Sequence, residues 1–518
     1  MSLLLEESVS HLPSEILDII FSDENLSQGD LTRAARVSHE WHDVAVPLLW
    51  HTIHGPECFV RLIPDDVWRL WREAQTPSSV RTYQSRRLQL AKDDFIPIYQ
   101  KMRFVKVFVV DMNYPDADAD RYAVIVDTLW DRLSRDRHLL PNLRSLRFDA
   151  RRSILHMRYQ LVFTRLFNLL LSPRMTSKRL GELIMTRSTL DFFVDYHTYT
   201  PKIITAIQKR YTHIEKVDLY INEVPPDDSL AMFARKGTLR SLELRFGWEV
   251  HRDCDPSLVT SSSAPGGFES LQTLGLHGLR APSVTGALRS WHYPSLRSFS
   301  TLHLTRAHAN QLRDMLLALH DHASHDTLRQ LLISPFIWRY SPLQLHHIEI
   351  LAAFRHLTHV ALSATLGVLL SDDEHEQVAG WWPNLELLEY NTASATFHGL
   401  SQDQDTPATL GALLHYARLC PRLRDLSLPV TVHGDGVPEI PTEPKSHQSE
   451  DATCPPAFTH PLSRLHVGDS VLDEECVRQA ATLLRQLFPN LTEVDFNEFE
   501  WNESRTPWLE VRKALAKE

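Results

Sequence analysis

His320, His322 and His325 stand close together in LHDHASH, and Asp372–Glu376 reads DDEHE. Imidazoles or carboxylates this close in sequence could in principle hold a divalent cation. Neither run has the company a metal centre needs. No cysteine stands with the histidines, no H-E-x-x-H pattern occurs, and the acidic run has the composition of a helix's first turn, where carboxylates meet the positive end of the helix dipole. Solvated helix-end histidines and a charged first turn are therefore expected. The five cysteines (Cys58, Cys254, Cys420, Cys454, Cys476) lie far apart and form no Cys-x-x-Cys pair, which indicates neither a disulfide framework nor a zinc module and fits a reducing intracellular compartment. None of the 17 glycines falls into a nucleophile elbow, a dinucleotide loop or a phosphate loop. The expectation is a chain with no catalytic set, no metal and no cofactor.

Arginine offers a different chemistry, the recognition of anions. Arg144, Arg240, Arg297, Arg329 and Arg424 each occupy the second place of a recurring six-residue phrase with apolar residues at places one, four and six. The phrase reads FVKVFV from Phe104, LRSLRF from Leu143, LGELIM from Leu180, IEKVDL from Ile214, LRSLEL from Leu239, LQTLGL from Leu271 and LRSFST from Leu296. It continues as LRQLLI from Leu328, LTHVAL from Leu357, LELLEY from Leu385, LRDLSL from Leu423, LSRLHV from Leu462 and LTEVDF from Leu491. The LRSFST copy ends poorly, in Thr301, and could be shifted toward Leu302 and Leu304. Spacings run from 25 residues (Ile214 to Leu239) to 39 (Leu423 to Leu462). Such a phrase is one short strand per turn of a solenoid.

Helical patterns lie between the copies. Ile203, Ile207 and Tyr211 share one face, as do Leu410, Leu413, Leu414 and Ala417, and likewise Val477, Ala481, Leu484 and Leu487. WPNL, CPRL and FPNL join helix to strand, with proline ending the helix. Strand and helix in alternation imply a parallel sheet with helices on its outer side. Stacking would then align the five arginines along one sheet edge as a surface for acidic or phosphorylated segments, although arginine at a strand start is also an ordinary solvated residue.

The bulk composition sets limits. Lys and Arg number 54 against 65 Asp and Glu, a net charge of −11 over 518 residues. That balance argues against a phosphate-tracking nucleic-acid binder. The start, MSLLLEESVS, lacks a basic segment before its leucines, and Leu161–Leu171 is interrupted by Arg165, so neither a secretory signal nor a membrane span is expected. A cytoplasmic or nuclear location follows from this reading.

Residues 12–50 carry three short helical patterns. Pro13 suits a first turn, and Ile16, Leu17, Ile20 and Phe21 form one apolar face. SDENLSQGD breaks the chain, Asp30 is placed to cap a second helix from Leu31, and Ser38 caps a third that carries Trp41, Val44 and Ala45 into Pro47. The order LP-x-E-I-L-x-x-I-F, D-L-x-x-A-x-x-V-S-x-x-W, P-L-L-W resembles the F-box family across residues 11–53. The phrase series resembles the irregular leucine-rich repeats of F-box proteins, common in fungi. It lacks most of the asparagines that follow the strand in regular repeats.

The resemblance implies an α/β chain: a three-helix F-box (11–53), a helical or irregular transition (54–100), a leucine-rich-repeat-like solenoid (101–500) and a terminal cap or tail (501–518). His251–Gly267 is expected to be a flexible loop and residues 434–456 a disordered insertion, being rich in Pro, Gly and charge. By resemblance, Leu12, Pro13, Ile16, Leu17, Leu31, Val37, Trp41, Leu49 and Trp50 correspond to positions that build the F-box or touch a Skp-type adaptor. Both roles need apolar side chains, so the two sets stay undivided. The implied function is substrate recognition in a cullin–RING ubiquitin ligase, with an unidentified protein substrate. A leucine-rich scaffold acting outside any ligase is the alternative.

Overall fold

The computed structural model describes residues 12–73, 96–111, 125, 126, 128, 138–149, 166–172, 179–185, 199–221, 229–247, 267–390, 408–438, 460–496 and 506–516, with breaks at 24, 56, 306–307, 337–341, 364–366, 435–436 and 469. The chain divides into two compact units, Met1–Pro225 and Pro226–Glu518. Of the expected loop His251–Gly267 only Gly267 is described, and of the expected insertion 434–456 only residues 434, 437 and 438; the rest of both lies outside the described residues.

The first unit begins with α1 (Ser14–Phe21), α2 (Gln28–Ala34) and α3 (His39–Leu49). It continues with β1 (Thr52–His54), α4 (Glu57–Arg61), α5 (Asp65–Glu73), α6 (Ile96–Met102), β2 (Val107–Asp111), β3 (Ser145–Asp149), β4 (Glu182–Met185), α7 (Tyr199–Lys209) and β5 (Lys216–Ile221). Its strands pair in parallel, each with its neighbour in sequence.

The second unit runs α8 (Ser229–Ala234), β6 (Ser241–Phe246), β7 (Thr273–His277), α9 (Ala281–Ser290), β8 (Ser298–Thr305), α10 (Ala309–His322), β9 (Gln330–Phe336) and α11 (Leu345–Ile348). After a 3-10 turn at Glu349–Ala353 come β10 (His359–Leu362), α12 (Asp372–Trp381), β11 (Leu387–Glu389), α13 (Gly411–Leu419) and β12 (Asp425–Ser427). The last elements are β13 (Thr431–Val432), β14 (Arg464–His466), β15 (Val471–Leu472), α14 (Val477–Leu487), β16 (Glu493–Asp495) and α15 (Thr506–Ala516). The parallel order from β6 to β12 continues through β14 to β16, while β13 and β15 form a separate pair.

The phrase register is visible in the pairing. Ser241, Thr273, Ser298, Gln330, His359, Leu387, Asp425, Arg464 and Glu493, each the third residue of its phrase, stand opposite one another from strand to strand. The second residue closes each step with its carbonyl, which accepts two N–H groups from the next strand. Arg297 O takes Arg329 N (2.7 Å) and Gln330 N (2.9 Å), and Arg424 O takes Ser463 N (2.9 Å) and Arg464 N (3.1 Å). Places one, four and six are buried in all but the last copy of the second unit, where Leu491 and Phe496 are half-buried; in the β9 copy Leu328, Leu331 and Ile333 are at most 1% exposed. Removing these side chains from water is the main driving force for the stack.

The first copy differs from the sequence expectation by one residue. Val107 pairs with Ser145, so the phrase starts at the buried Val105 and not at Phe104. An additional copy precedes it: Thr52 pairs with Val107, which makes Trp50 the first residue of a strand phrase. The LRSFST copy keeps its register, with Leu296, Phe299 and Thr301 all buried, and then bulges between Leu302 and Leu304, where His303 adopts φ 57°. The bulge lets β8 run on to Thr305 despite its misfit sixth residue.

The helices between the repeat strands follow the predicted faces, whereas the face predicted for α1 is split, Leu17 and Phe21 being buried and Ile16 and Ile20 exposed. Ile203, Ile207 and Tyr211 are buried, as are Leu410, Leu413 and Ala417, and Ala481 and Leu484; Leu414, Val477 and Leu487 are half-buried. On α15, Trp508 and Val511 are buried, Trp508 Nε1 donates to Ser470 O at 3.2 Å, and Arg485 from α14 donates to Ala514 O at 2.8 Å. The last apolar edge is thereby covered.

Candidate functional site

The N-terminal trio is built around a small core of Leu17, Phe21, Leu31, Ala34 and Ala45, against which Leu12, Trp41, Val44, Leu48 and Leu49 pack partly buried. Helix α1 starts directly after Pro13, whose carbonyl accepts from Ile16 N (3.0 Å) and Leu17 N (3.1 Å). Asp30 does not cap α2 as expected. Ser27 does, three residues earlier, in a reciprocal box: Asp30 N donates to Ser27 Oγ (3.2 Å) and Ser27 N to Asp30 Oδ2 (3.0 Å). The Ser27 hydroxyl, donating to Asp30 Oδ2 at 2.6 Å, then Ser27 N and Arg33 Nη2 (2.7 Å), hold the Asp30 carboxyl below the ordinary carboxylate range. Ser38 caps α3 as predicted, accepting from Trp41 N at 3.2 Å. Pro47 does not end α3, which runs on to Leu49.

This packing separates the nine sequence-predicted positions. Leu17 and Leu31 are core, and Leu12, Trp41 and Leu49 brace that core. Trp50 opens the β1 phrase. Only Pro13, Ile16 and Val37 point outward, with Ile16 43% and Val37 59% exposed. Two further residues join them: Ile19 is 70% exposed and Ile20 45%. Ile16, Ile19 and Ile20 are spaced i, i+3, i+4 and so form one stripe on α1. Its signal was present in sequence as an isoleucine lying beyond the core-facing face. A forty-residue module that leaves three isoleucines of one eight-residue helix in water has the composition of a partner site.

The five arginines all occupy strand starts and are exposed or half-buried. Arg297 and Arg329 are adjacent across β8 and β9. Gln272, Thr358 and Glu386 take the aligned places elsewhere, so the arginines of the second unit form no unbroken basic row. Arg144 belongs to the first unit.

The polar runs are consumed locally. Ser371 and Glu374 form a capping box on α12, Asp372 Oδ1 accepts from Thr409 N at 2.8 Å, and Glu376 pairs with Arg418. His325 Nε2 donates to His320 O at 2.9 Å, and His320 Nδ1 meets Asp321 at 3.0 Å. Among the described residues no group of three or more His, Cys, Asp or Glu could hold a metal. Cys58, Cys420 and Cys476 form no disulfide among the described residues, and burial pushes the Cys420 thiol up to about 12. Cys254 and Cys454 lie outside the described residues. A Glu–His pair on β6 and β7 is the nearest approach to a catalytic constellation. His277 Nδ1 accepts from Leu302 N (3.0 Å), so Nε2 carries the proton and donates to Glu243 Oε2 (2.6 Å). Both ring nitrogens are engaged, and neither is available as a base. No helix among the described residues is long and apolar enough to cross a membrane.

Together these features define a class: an N-terminal module of three short helices followed by a parallel strand–helix repeat. The F-box-like family model matches residues 9–55, and this segment is an F-box-like domain. No curated protein matches the sequence. Among solved structures, the chain is similar to one in the crystal structure of the Rad7 and Elc1 complex in yeast, at 14% identity and a TM-score of 0.29, over 72% of this chain and 87% of that one.

Proposed function

We propose that the protein is a substrate-recognition subunit of an SCF-type cullin–RING ubiquitin ligase in the cytoplasm or nucleus. The F-box-like domain docks a Skp-type adaptor, and through it a cullin, while the repeat sheet holds a protein substrate. The observation that carries this reading is the F-box-like domain itself, with its exposed isoleucine stripe on α1. The chain supplies no chemical group under this reading. It acts by proximity, raising the effective concentration of substrate lysines near a ubiquitin-charged enzyme.

The test is binding of the full chain to a purified Skp-type adaptor. Ile19→Asp combined with Val37→Asp alters only exposed side chains and is expected to abolish binding while leaving the helices folded. Adaptor binding undiminished in that variant overturns the docking face. Failure of the wild-type chain to bind any Skp-type adaptor overturns the ligase reading and favours a scaffold acting outside a ligase.

A further inference from the structure

At the rim where β11, β12 and β14 begin, Glu386, Pro421, Arg422, Arg424 and Pro461 line a hollow of about 320 Å³. Small-ligand sites run from about 300 to 1,000 Å³, so this one suits the end of a chain better than a long segment. Pro421 and Pro461 give it stiff apolar sides. Arg422 and Arg424 are exposed, and neither guanidinium has a hydrogen bond or ion pair among the described residues. Glu386, half-buried, pairs with neither. Two guanidinium groups and one carboxylate leave the lining net positive.

The neighbouring ions are engaged elsewhere. Arg464 holds Glu493 at 2.8 Å and Asp425 at 3.5 Å, and Arg418 pairs with Glu376. His460, next to Pro461, accepts from Leu462 N at Nδ1 (3.2 Å) and donates from Nε2 to Cys420 O (3.0 Å). Burial lowers its pKa, so it adds no charge at neutral pH. The strand backbone at the rim is spent as well. Arg424 N and Asp425 N donate to Glu386 O at 2.8 and 3.2 Å, and Arg424 O takes the two N–H groups from β14. A ligand must therefore be held by side chains: two planar forks that match carboxylate oxygens, and one carboxylate that only accepts. The last residue of a polypeptide presents that combination, an α-carboxylate beside an amide N–H. An internal acidic residue needs room for chain on both sides of it.

We propose that this hollow receives the C-terminal residue of a partner protein, with its α-carboxylate on Arg422 and Arg424 and its amide N–H on Glu386. The inference rests on reading the chain as a substrate receptor and names the feature received. It replaces a row of strand-start arginines by a single site. Of the five arginines in the phrases only Arg424 takes part, and Arg422 joins it from the CPRL turn between α13 and β12.

The experiment is selection of random peptides displayed with free C termini on the full chain, followed by fluorescence anisotropy of the selected sequences. Each is synthesised with a free and with an amidated end. Amidation is expected to weaken binding at least about tenfold, and Arg422→Gln and Arg424→Gln should each weaken the free-ended peptide on the order of tenfold. Added salt should weaken it further. Peptides that tolerate amidation, that depend on an internal acidic or phosphorylated residue, or that ignore both arginine variants would overturn the proposal, as would no enrichment at all. Adaptor binding of the same preparation is measured in parallel. Its loss strikes the ligase reading, whereas intact adaptor binding with a negative selection strikes only the chain-end assignment.

Discussion

Phe21 of α1 and Trp41 of α3 meet edge to face, their ring centroids 5.2 Å apart at 65°. This contact ties the first helix to the third, and it explains why Trp41 cannot be read simply as a docking residue. Its indole Nε1 is buried without an acceptor, so its contribution is shape and apolar area. Trp41→Ala should therefore destabilise the helical trio by about 2–4 kcal/mol, while Trp41→Phe costs less than about 1.5 kcal/mol because no hydrogen bond is lost. Hydrogen exchange in residues 14–49 checks this. Faster exchange confined to these helices is expected for the alanine variant, and unchanged exchange would refute the bracing role.

Leu331 and Leu332 are adjacent on β9 but point to opposite faces, one fully buried and the other 37% exposed. Alternation in a strand makes their substitutions diverge. Leu331→Ala removes a core side chain and should cost about 2–5 kcal/mol, whereas Leu332→Ser should stay within about 0.5 kcal/mol. Urea unfolding of the two variants decides the matter, since equal losses would mean that the open face is covered.

His375 is on α12 and fully buried, with Nδ1 3.0 Å from Tyr416 Oη and Nε2 unpartnered. Burial lowers its pKa from 6.5 to about 4. The folded protein thus excludes a proton that the unfolded chain binds below pH 6.5. Stability from this group is complete above 6.5 and is lost as pH falls toward 4, by about 3 kcal/mol in all. His375→Leu cannot titrate, so the difference in melting temperature between wild type and variant should shift in the variant's favour between pH 7 and pH 4.5. A constant difference would show that His375 keeps its ordinary pKa.

Much of this was legible in the residues. The apolar phrase fell in register at every copy from Leu143 to Leu491, because leucine at places one, four and six answers one physical demand, burial on one side of a strand. At Phe104 two overlapping apolar templates fit equally well, and only pairing with Ser145 selects Val105. The Trp50 phrase was hidden because the same residues close the helical module. Docking and packing residues could not be divided, since Leu17 and Ile16 are chemically alike and only burial, 0% against 43%, separates them. Nor does periodicity reveal that Glu243 leans over a glycine, because that is a contact between strands more than thirty residues apart in sequence.

That contact makes the sharpest prediction. Gly275 stands opposite Glu243, and a Cβ built at Gly275 would overlap the Glu243 carboxylate that accepts from His277 Nε2. Gly275→Ala must displace the carboxylate, leaving the buried His277 N–H without its acceptor, which should cost about 1–3 kcal/mol. Glu243→Ala alone leaves the same N–H unpaired. In the double variant the new methyl group finds the space that the carboxylate vacated, so the two costs should not add. The interaction energy should be at least about 0.5 kcal/mol in the direction of rescue. Denaturant unfolding of the four proteins closes the cycle, and strict additivity would mean that Glu243 does not occupy the space above Gly275.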